Sequence, residues 1–75
     1  MTRHPYFSVG EVVALTDRAI RQGLQGRAKS RYATVVEHRR FKVDRLTVTI
    51  RRDGLKGLSR FHVGLLRCLR EGEKP

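Results

Sequence analysis

The chain has 75 residues, of which 39% are hydrophobic and 32% are charged, and its formal net charge is +10. A chain of this length forms one small domain, and its single cysteine excludes an intrachain disulfide framework and a cysteine-based zinc cluster. No apolar run approaches the roughly 20 residues that span a bilayer, and residues 1–13 lack the apolar core of a signal peptide. We therefore expect a cytoplasmic protein with no membrane partner.

The positive charge is concentrated in one segment. Residues 18–60 contain thirteen Lys or Arg and three Asp or Glu, whereas the charges outside this segment cancel. Such a distribution attracts nucleic acid, anionic lipid or an acidic protein surface. A generally basic, well-solvated surface with no partner is the alternative, and the charge pattern alone leaves it open.

The N-terminal part of the chain predicts a disordered lead-in over residues 1–6, followed by a strand. A turn at Gly10 precedes the strand, which covers residues 11–16. Val13 and Leu15 are expected on one face of this strand, because side chains alternate between the two faces.

Residues 17–31 allow two interpretations. Asp17 can cap a short helix over residues 18–22 that ends at Gly23. The five cations and two glycines of this segment fit a mobile loop with one helical turn equally well. The sequence leaves both interpretations open.

The central part predicts two strands and then a hairpin. The second strand covers residues 32–38, and a basic connection leads to the third, over residues 45–51, which alternates clearly between two faces. Its predicted core-facing residues are Leu46, Val48 and Ile50, and its outward-facing residues are Thr47, Thr49 and Arg51. The following Asp53-Gly54 pair is a strong hairpin signal, because glycine accepts a positive φ.

The C-terminal part predicts a returning strand over residues 56–61, one helical turn over 62–66 and a short fifth strand over 67–69. Residues 71–75 are polar and are expected to fray. Closing five short strands into a barrel removes their exposed edges. We therefore expect an all-β fold, a small five-stranded barrel over residues 7–70 with a single helical turn before the last strand.

Four short sequences resemble those of a group of small bacteriophage and prophage proteins: the opening VGE-V, the TVVE of the second strand, the RRDG that ends the third, and SRFHVGLL before the last strand. The resemblance extends from Val9 to Leu69. It implies an SH3-like barrel with the layout of KOW-type domains and a phage origin in a bacterial host cell, and it implies no established activity. KOW-type barrels often contact RNA or the ribosomal and transcription machinery, although fold alone does not fix function. The chain departs from the family in its strongly basic loop over residues 18–31 and in the connection HRRFK, which lacks the expected glycine turn.

Most candidate binding residues are arginines in or beside the predicted connections. The planar guanidinium binds two phosphate oxygens at once and can also stack on an unpaired base. Phe41 is the aromatic expected to be exposed among these cations, Tyr32 fits exposure and burial equally, and Phe61 is expected in the core. The predicted nucleic-acid-binding residues are Arg27, Lys29, Arg31, Arg39, Arg40, Phe41, Lys42, Arg45, Arg51, Arg52, Lys56 and Arg60.

These residues predict a module that binds the phosphate backbone of DNA or RNA without strong sequence preference. The alternative is a phage-encoded interaction module that docks on an acidic host protein and modulates it. The nucleic-acid interpretation requires the arginine-bearing segments to meet on one side of the fold, with the opposite side comparatively neutral.

No residue pattern predicts catalysis or metal binding. His4, His38 and His62 lack the spacing of metal ligands, and no nucleophile–base pair or carboxylate pair stands at a useful spacing. We therefore expect no enzyme, no cofactor and no small-molecule substrate. Cys68 is expected to be a small core residue, and neighbouring arginine would lower the pKa of its thiol if it were exposed.

Overall fold

The computed structural model describes residues 6–37 and 45–75. These residues form five β-strands, a short α-helix and a single turn of 3-10 helix. In chain order the elements are β1 (Val12–Leu15), α1 (Asp17–Arg21), β2 (Tyr32–Val35), β3 (Thr47–Arg52), β4 (Leu58–His62), the 3-10 turn (Val63–Leu65) and β5 (Leu66–Cys68). The predicted predominance of β-structure and the helical turn before the last strand are confirmed.

The five strands form one antiparallel sheet in the order β4-β3-β2-β1-β5. Strands β1 to β4 form a meander, and the 3-10 turn returns the chain so that β5 pairs with β1, with Leu66 opposite Leu15. In the described part of the chain this sheet is open, with β4 and β5 at its edges. Closure into a barrel is not confirmed.

The core lies against one face of the sheet, which we call the inner face. Val13 and Leu15 of β1 and Ile50 of β3 are almost fully buried there, which confirms the predicted alternation at these positions. The sheet residues of the core are Val13, Leu15, Ala33, Val35, Val48, Ile50 and Leu66. Phe7 and Ala19 cover this face from outside the sheet.

The third strand is shorter at its N-terminal end than predicted. Leu46 was expected in the core, but the residue is 58% exposed, because β3 begins only at Thr47. Thr49 lies on the face away from the core as predicted. It is nevertheless buried, because β3 is flanked by β2 on one side and by β4 on the other.

The segment after β1 is helical at its N-terminal end, which both interpretations allowed. Its cap is Thr16 rather than Asp17: Thr16 Oγ1 accepts a hydrogen bond from the Ala19 N–H at 3.2 Å. Thr16 has the extended backbone of an N-cap residue, with φ −67° and ψ 161°. Asp17 lies in the first turn, where its negative charge complements the helix dipole. Gly23 follows the helix with a φ of +76°.

The Asp53-Gly54 turn joins β3 to β4, as predicted. Arg51 lies opposite Leu58 at the end of this hairpin. Gly54 has a φ of +81°, a conformation that costs other residues about 1–2 kcal/mol. A Cβ at this position would also lie only 2.7 Å from Cγ of Lys29. The positive φ of the turn therefore favours glycine, and so does the packing of Lys29, from the loop between α1 and β2, against Gly54.

Some predictions fall on residues outside the described ranges. They are the lead-in over residues 1–5, the end of the second strand at His38, and the connection over residues 39–44. Tyr6, the last residue of the predicted lead-in, is exposed. Within the two described ranges, neither helix has the length and apolar character needed to cross a bilayer.

Ile50→Asp should unfold the domain, because it places an unpaired carboxylate in the core. The expected loss of about 4 kcal/mol or more is comparable with the whole unfolding free energy of a domain this small. Leu46→Asp is the matched control, since it introduces the same group at an exposed side chain, and it should change stability by about 0.5 kcal/mol or less. Urea titrations followed by circular dichroism measure both variants. Equal losses would show that the inner face is assigned wrongly.

Candidate nucleic-acid interface

The face of the sheet opposite the core, which we call the outer face, carries polar and charged side chains. Directly opposite residues of antiparallel strands lie on the same face. Thr34 of β2 pairs with Val12 on one side and with Arg51 on the other, which forms one row across three strands. The pairing of Thr49 with Arg60 extends the outer face to β4.

Arg51 and Arg60 are diagonal neighbours on the outer face. Arg51 lies opposite Leu58, and Arg60 is two residues further along β4, an arrangement that separates the two Cα atoms by about 7–8 Å. Both side chains are exposed. Arg60 Nη2 donates to Thr47 Oγ1 at 2.9 Å. The guanidinium of Arg51 makes no hydrogen bond or ion pair with any residue of the described ranges.

An open groove of about 480 Å³ lies on the outer face. Its sheet residues include Tyr32, Thr34 and Arg51, and it is flanked by residues 53–55 of the hairpin turn and by Pro75 of the C-terminal tail. The groove therefore brings an aromatic ring and an exposed cation together.

Glu73 fixes the C-terminal tail to the outer face. Arg67 donates to both carboxylate oxygens, at 2.7 Å to Oε1 and 3.0 Å to Oε2. Tyr32 Oη also donates to Oε2 at 3.0 Å, and the Arg70 N–H donates to Oε1 at 2.8 Å. Ala14 lies opposite both Tyr32 and Arg67 in the sheet. The Glu73 cluster, formed by Tyr32, Arg67 and Glu73, thus bridges β2 and β5 over β1, which explains why Ala14 is fully buried on the outer face.

The Glu73 cluster changes the acid–base properties of its members. Hydrogen bonds from the Arg67 side chain and the Arg70 backbone lower the pKa of Glu73 to about 2. By accepting a hydrogen bond from each, the carboxylate raises the pKa of Tyr32 and the pKa of Arg67. At neutral pH the cluster therefore contains an ionised carboxylate that neutralises Arg67 and a phenol that keeps its proton.

Arg52, one of the predicted binding residues, makes structural contacts. It follows Arg51 along β3 and so lies on the opposite, inner face. Its Nη1 donates to the carbonyl oxygen of Leu24 at 2.8 Å. Its guanidinium also lies over the ring of Phe61, 5.3 Å from the centroid. Arg52 thereby holds the loop after α1 against the sheet, a role that its position in a basic run did not predict.

The aromatic candidates differ in their surroundings. Tyr32 is half-buried and lines the groove, with its hydroxyl held by Glu73. Phe61 is also half-buried, and it packs against the core from the side of β4. Phe41 lies outside the described residues.

The other predicted cations lie in several places. Arg31 Nη1 pairs with Asp17 Oδ1 at 2.9 Å, and this interaction lowers the pKa of Asp17. Lys29 contacts the hairpin turn, where its backbone N–H donates to the Asp53 carbonyl at 3.0 Å. The exposed members of this group are Arg27, Lys29, Arg45 and Lys56. The predicted residues outside the described ranges are Arg39, Arg40, Phe41 and Lys42. The structure thus brings two predicted cations, Arg51 and Arg60, together on the outer face.

Sequence reasoning missed the two charged members of the Glu73 cluster. The tail was expected to fray, and Arg67 counted only as a charge outside the basic segment. One signal was present, because Gly72 favours a turn, and it does adopt a φ of +79°. That turn alone does not place Glu73 beside Tyr32, since their proximity depends on the pairing of both β2 and β5 with β1.

The expectation for Cys68 was wrong. The residue is exposed rather than buried, because it lies at the end of the edge strand β5. Its thiol donates a hydrogen bond to Glu11 Oε2 at 3.3 Å. This contact raises the pKa of Cys68, which is opposite to the effect expected from a neighbouring arginine.

His62 has a local structural contact. Its Nδ1 accepts a hydrogen bond from the Gly64 N–H at 2.9 Å and so caps the 3-10 turn. Within residues 6–37 and 45–75, no three histidine, cysteine or acidic side chains are grouped so that they could hold a metal ion.

No protein-family model, curated protein or solved structure significantly matches the chain. The resemblance to phage proteins and the identity of the partner therefore stay predictions.

Glu73→Gln should lower the thermal stability of the protein and reduce its dependence on pH, because an amide cannot form the ion pair with Arg67. The pKa of Glu73 falls from its ordinary value of 4.5 to about 2 on folding. The stability that this carboxylate contributes is therefore complete above about pH 4.5 and is lost as the pH falls toward about 2.

Thermal unfolding at pH 7 and pH 3, followed by circular dichroism, measures this effect. The variant should have a lower Tm than the wild-type protein at pH 7, and the difference should shrink at pH 3. Glu71→Gln removes the same charge from an exposed position in the same tail, and it should leave the Tm unchanged. Equal effects of the two substitutions would contradict a specific role for Glu73.

Proposed function

We propose that the protein binds nucleic acid through the phosphate backbone, using the outer face of its sheet and without strong sequence preference. The observation that carries this proposal is the exposed diagonal pair of Arg51 and Arg60 on that face. Two guanidinium groups at this spacing can contact phosphates of the same strand and release the counterions bound to them. Phosphate contacts carry no base information, so binding of this kind is not sequence-specific.

The charges around these two arginines support an anionic partner. The carboxylate of Glu73 lies on the same face, but it is already paired with Arg67 at 2.7 Å. The guanidinium of Arg51 has no acidic partner in the described ranges. The net charge of +10 adds a long-range field that attracts a polyanion at low ionic strength. The exposed side chains of Arg27, Arg45 and Lys56 can supply further phosphate contacts.

We also propose that the sheet curls into an SH3-like barrel with the layout of KOW-type domains. Two features support this more specific fold. The strand β5 pairs with β1, the first strand of the four-stranded meander, and a 3-10 turn precedes β5. Closure would also cover the edges at β4 and β5. In this proposal the protein is a non-enzymatic, phage-encoded module that acts in the cytoplasm of a bacterial host.

The dependence of binding on salt tests the proposed function. If the protein neutralises about four to six phosphates, log affinity for duplex should fall with log salt concentration with a slope of about −4 to −5. Fluorescence anisotropy titrations of labelled DNA and RNA at several salt concentrations measure this slope. If the protein binds neither DNA nor RNA at low salt, the proposal is overturned. Stoichiometric recovery of one acidic protein from nuclease-treated lysate would then support the docking alternative.

The neighbours Arg51 and Arg52 provide a matched pair of substitutions. Arg51→Ala should reduce the salt slope by about 1 while changing stability by about 0.5 kcal/mol or less. Arg52→Ala should lower the unfolding free energy by about 1.5–3 kcal/mol, because it removes a charged hydrogen bond. Urea unfolding and the same salt titrations separate the two effects. Wild-type binding by Arg51→Ala would show that the outer face is not the contact surface.

A further inference from the structure

We propose that the groove on the outer face binds one unpaired base of a single-stranded nucleic acid, with Tyr32 as its stacking surface. This inference rests on the proposed phosphate binding and adds a preference for single strands over duplexes. It follows from three properties of the groove: its size and mixed lining, the fixed position of Tyr32, and the placement of Arg51 beside that residue.

The lining of the groove combines uncharged and charged side chains. The uncharged side chains include those of Val12, Tyr32, Thr34 and Leu55, and the charged residues are Arg51, Arg52 and Asp53. Asp53 lies at the hairpin end, where its carboxylate repels a phosphate. The volume of about 480 Å³ falls within the range of about 300–1,000 Å³ that small-molecule sites occupy. A base therefore fits against the uncharged side chains around Tyr32, and the phosphate attached to it fits against Arg51.

Tyr32 is held in place before any ligand arrives. Its backbone is part of β2, and its N–H donates to Ser30 Oγ at 3.2 Å. Its hydroxyl donates to Glu73 Oε2 at 3.0 Å. An aromatic ring fixed in this way loses little conformational freedom when a base stacks on it. Glu73 is therefore a positioning residue for Tyr32.

Arg51 places a phosphate-binding group next to the proposed base site. It lies opposite Thr34 in the sheet, and Tyr32 is two residues before Thr34 on the same face. One nucleotide can thus place its base against Tyr32 and its phosphate against Arg51. In a duplex the bases are stacked on one another inside the helix, so a duplex can use only the arginine contacts. The groove consequently favours an unpaired strand.

A comparison of two oligonucleotides with equal charge tests this inference. One is a labelled single-stranded dT 12-mer, and the other is a 12-mer of the same length whose sugars carry no bases. Their phosphates are the same in number, so a difference in affinity reports contacts with bases. The wild-type protein should bind the dT 12-mer at least about fivefold more tightly, as expected for one stacked base.

Variants at Tyr32 assign the preference to the groove. Tyr32→Leu should reduce the affinity for the dT 12-mer to that of the abasic strand. Tyr32→Phe, which keeps the ring but loses the hydrogen bond to Glu73, should retain part of the preference. Equal wild-type affinities for the two strands, or an undiminished preference in folded Tyr32→Leu, would overturn the inference and leave phosphate binding intact. Absence of binding to both strands would overturn the proposed function itself. The comparison of the two strands with the wild-type protein tests the inference even if Tyr32→Leu does not fold.

Discussion

A chain of 75 residues has few apolar side chains, and their small number limits how much of the sheet they can cover. Small domains bury a smaller share of their surface than large ones. Here the apolar side chains of α1 and of the preceding N-terminal segment, represented by Ala19 and Phe7, cover the inner face. The outer face is covered in part by the C-terminal tail, which Glu73 fixes through Arg67 and Tyr32. Its remaining area includes the exposed side chains of Arg51 and Arg60, and we propose that an anionic ligand binds there.

The strand geometry separates cations that look equivalent in the sequence. Arg51 and Arg52 are adjacent in one basic run, but alternation along β3 directs them to opposite faces. Arg52 stabilises the fold through the Leu24 carbonyl and the Phe61 ring, whereas Arg51 faces solvent beside the groove. Charge density therefore overestimates the number of side chains available to a ligand. The face on which a cation lies, and whether the chain supplies its partner, decide its role.

The sequence predicted the features of the fold that depend on local patterns. A period of two identified the inner-face positions of Val13 and Ile50, and positive-φ chemistry identified the turn at Gly54. Local patterns did not distinguish Thr16 from Asp17 as the helix cap, because either side chain has an oxygen that can accept the hydrogen bond. Neither could they predict the contact between Tyr32 and Glu73, which are 41 residues apart and meet only after the strands pair. The groove was missed for the same reason, since its lining comes from three strands, a hairpin turn and the tail.

The proposed function places nucleic acid on the outer face of the sheet rather than on the helical side of the molecule. Backbone amide chemical-shift mapping during a titration with a single-stranded 12-mer tests it most directly, because it locates the contact without any substitution. Binding at the outer face should give the largest shifts near Tyr32, Thr34, Arg51 and Arg60, and small shifts along α1. The largest shifts on α1, or no shifts at saturating oligonucleotide, would contradict it.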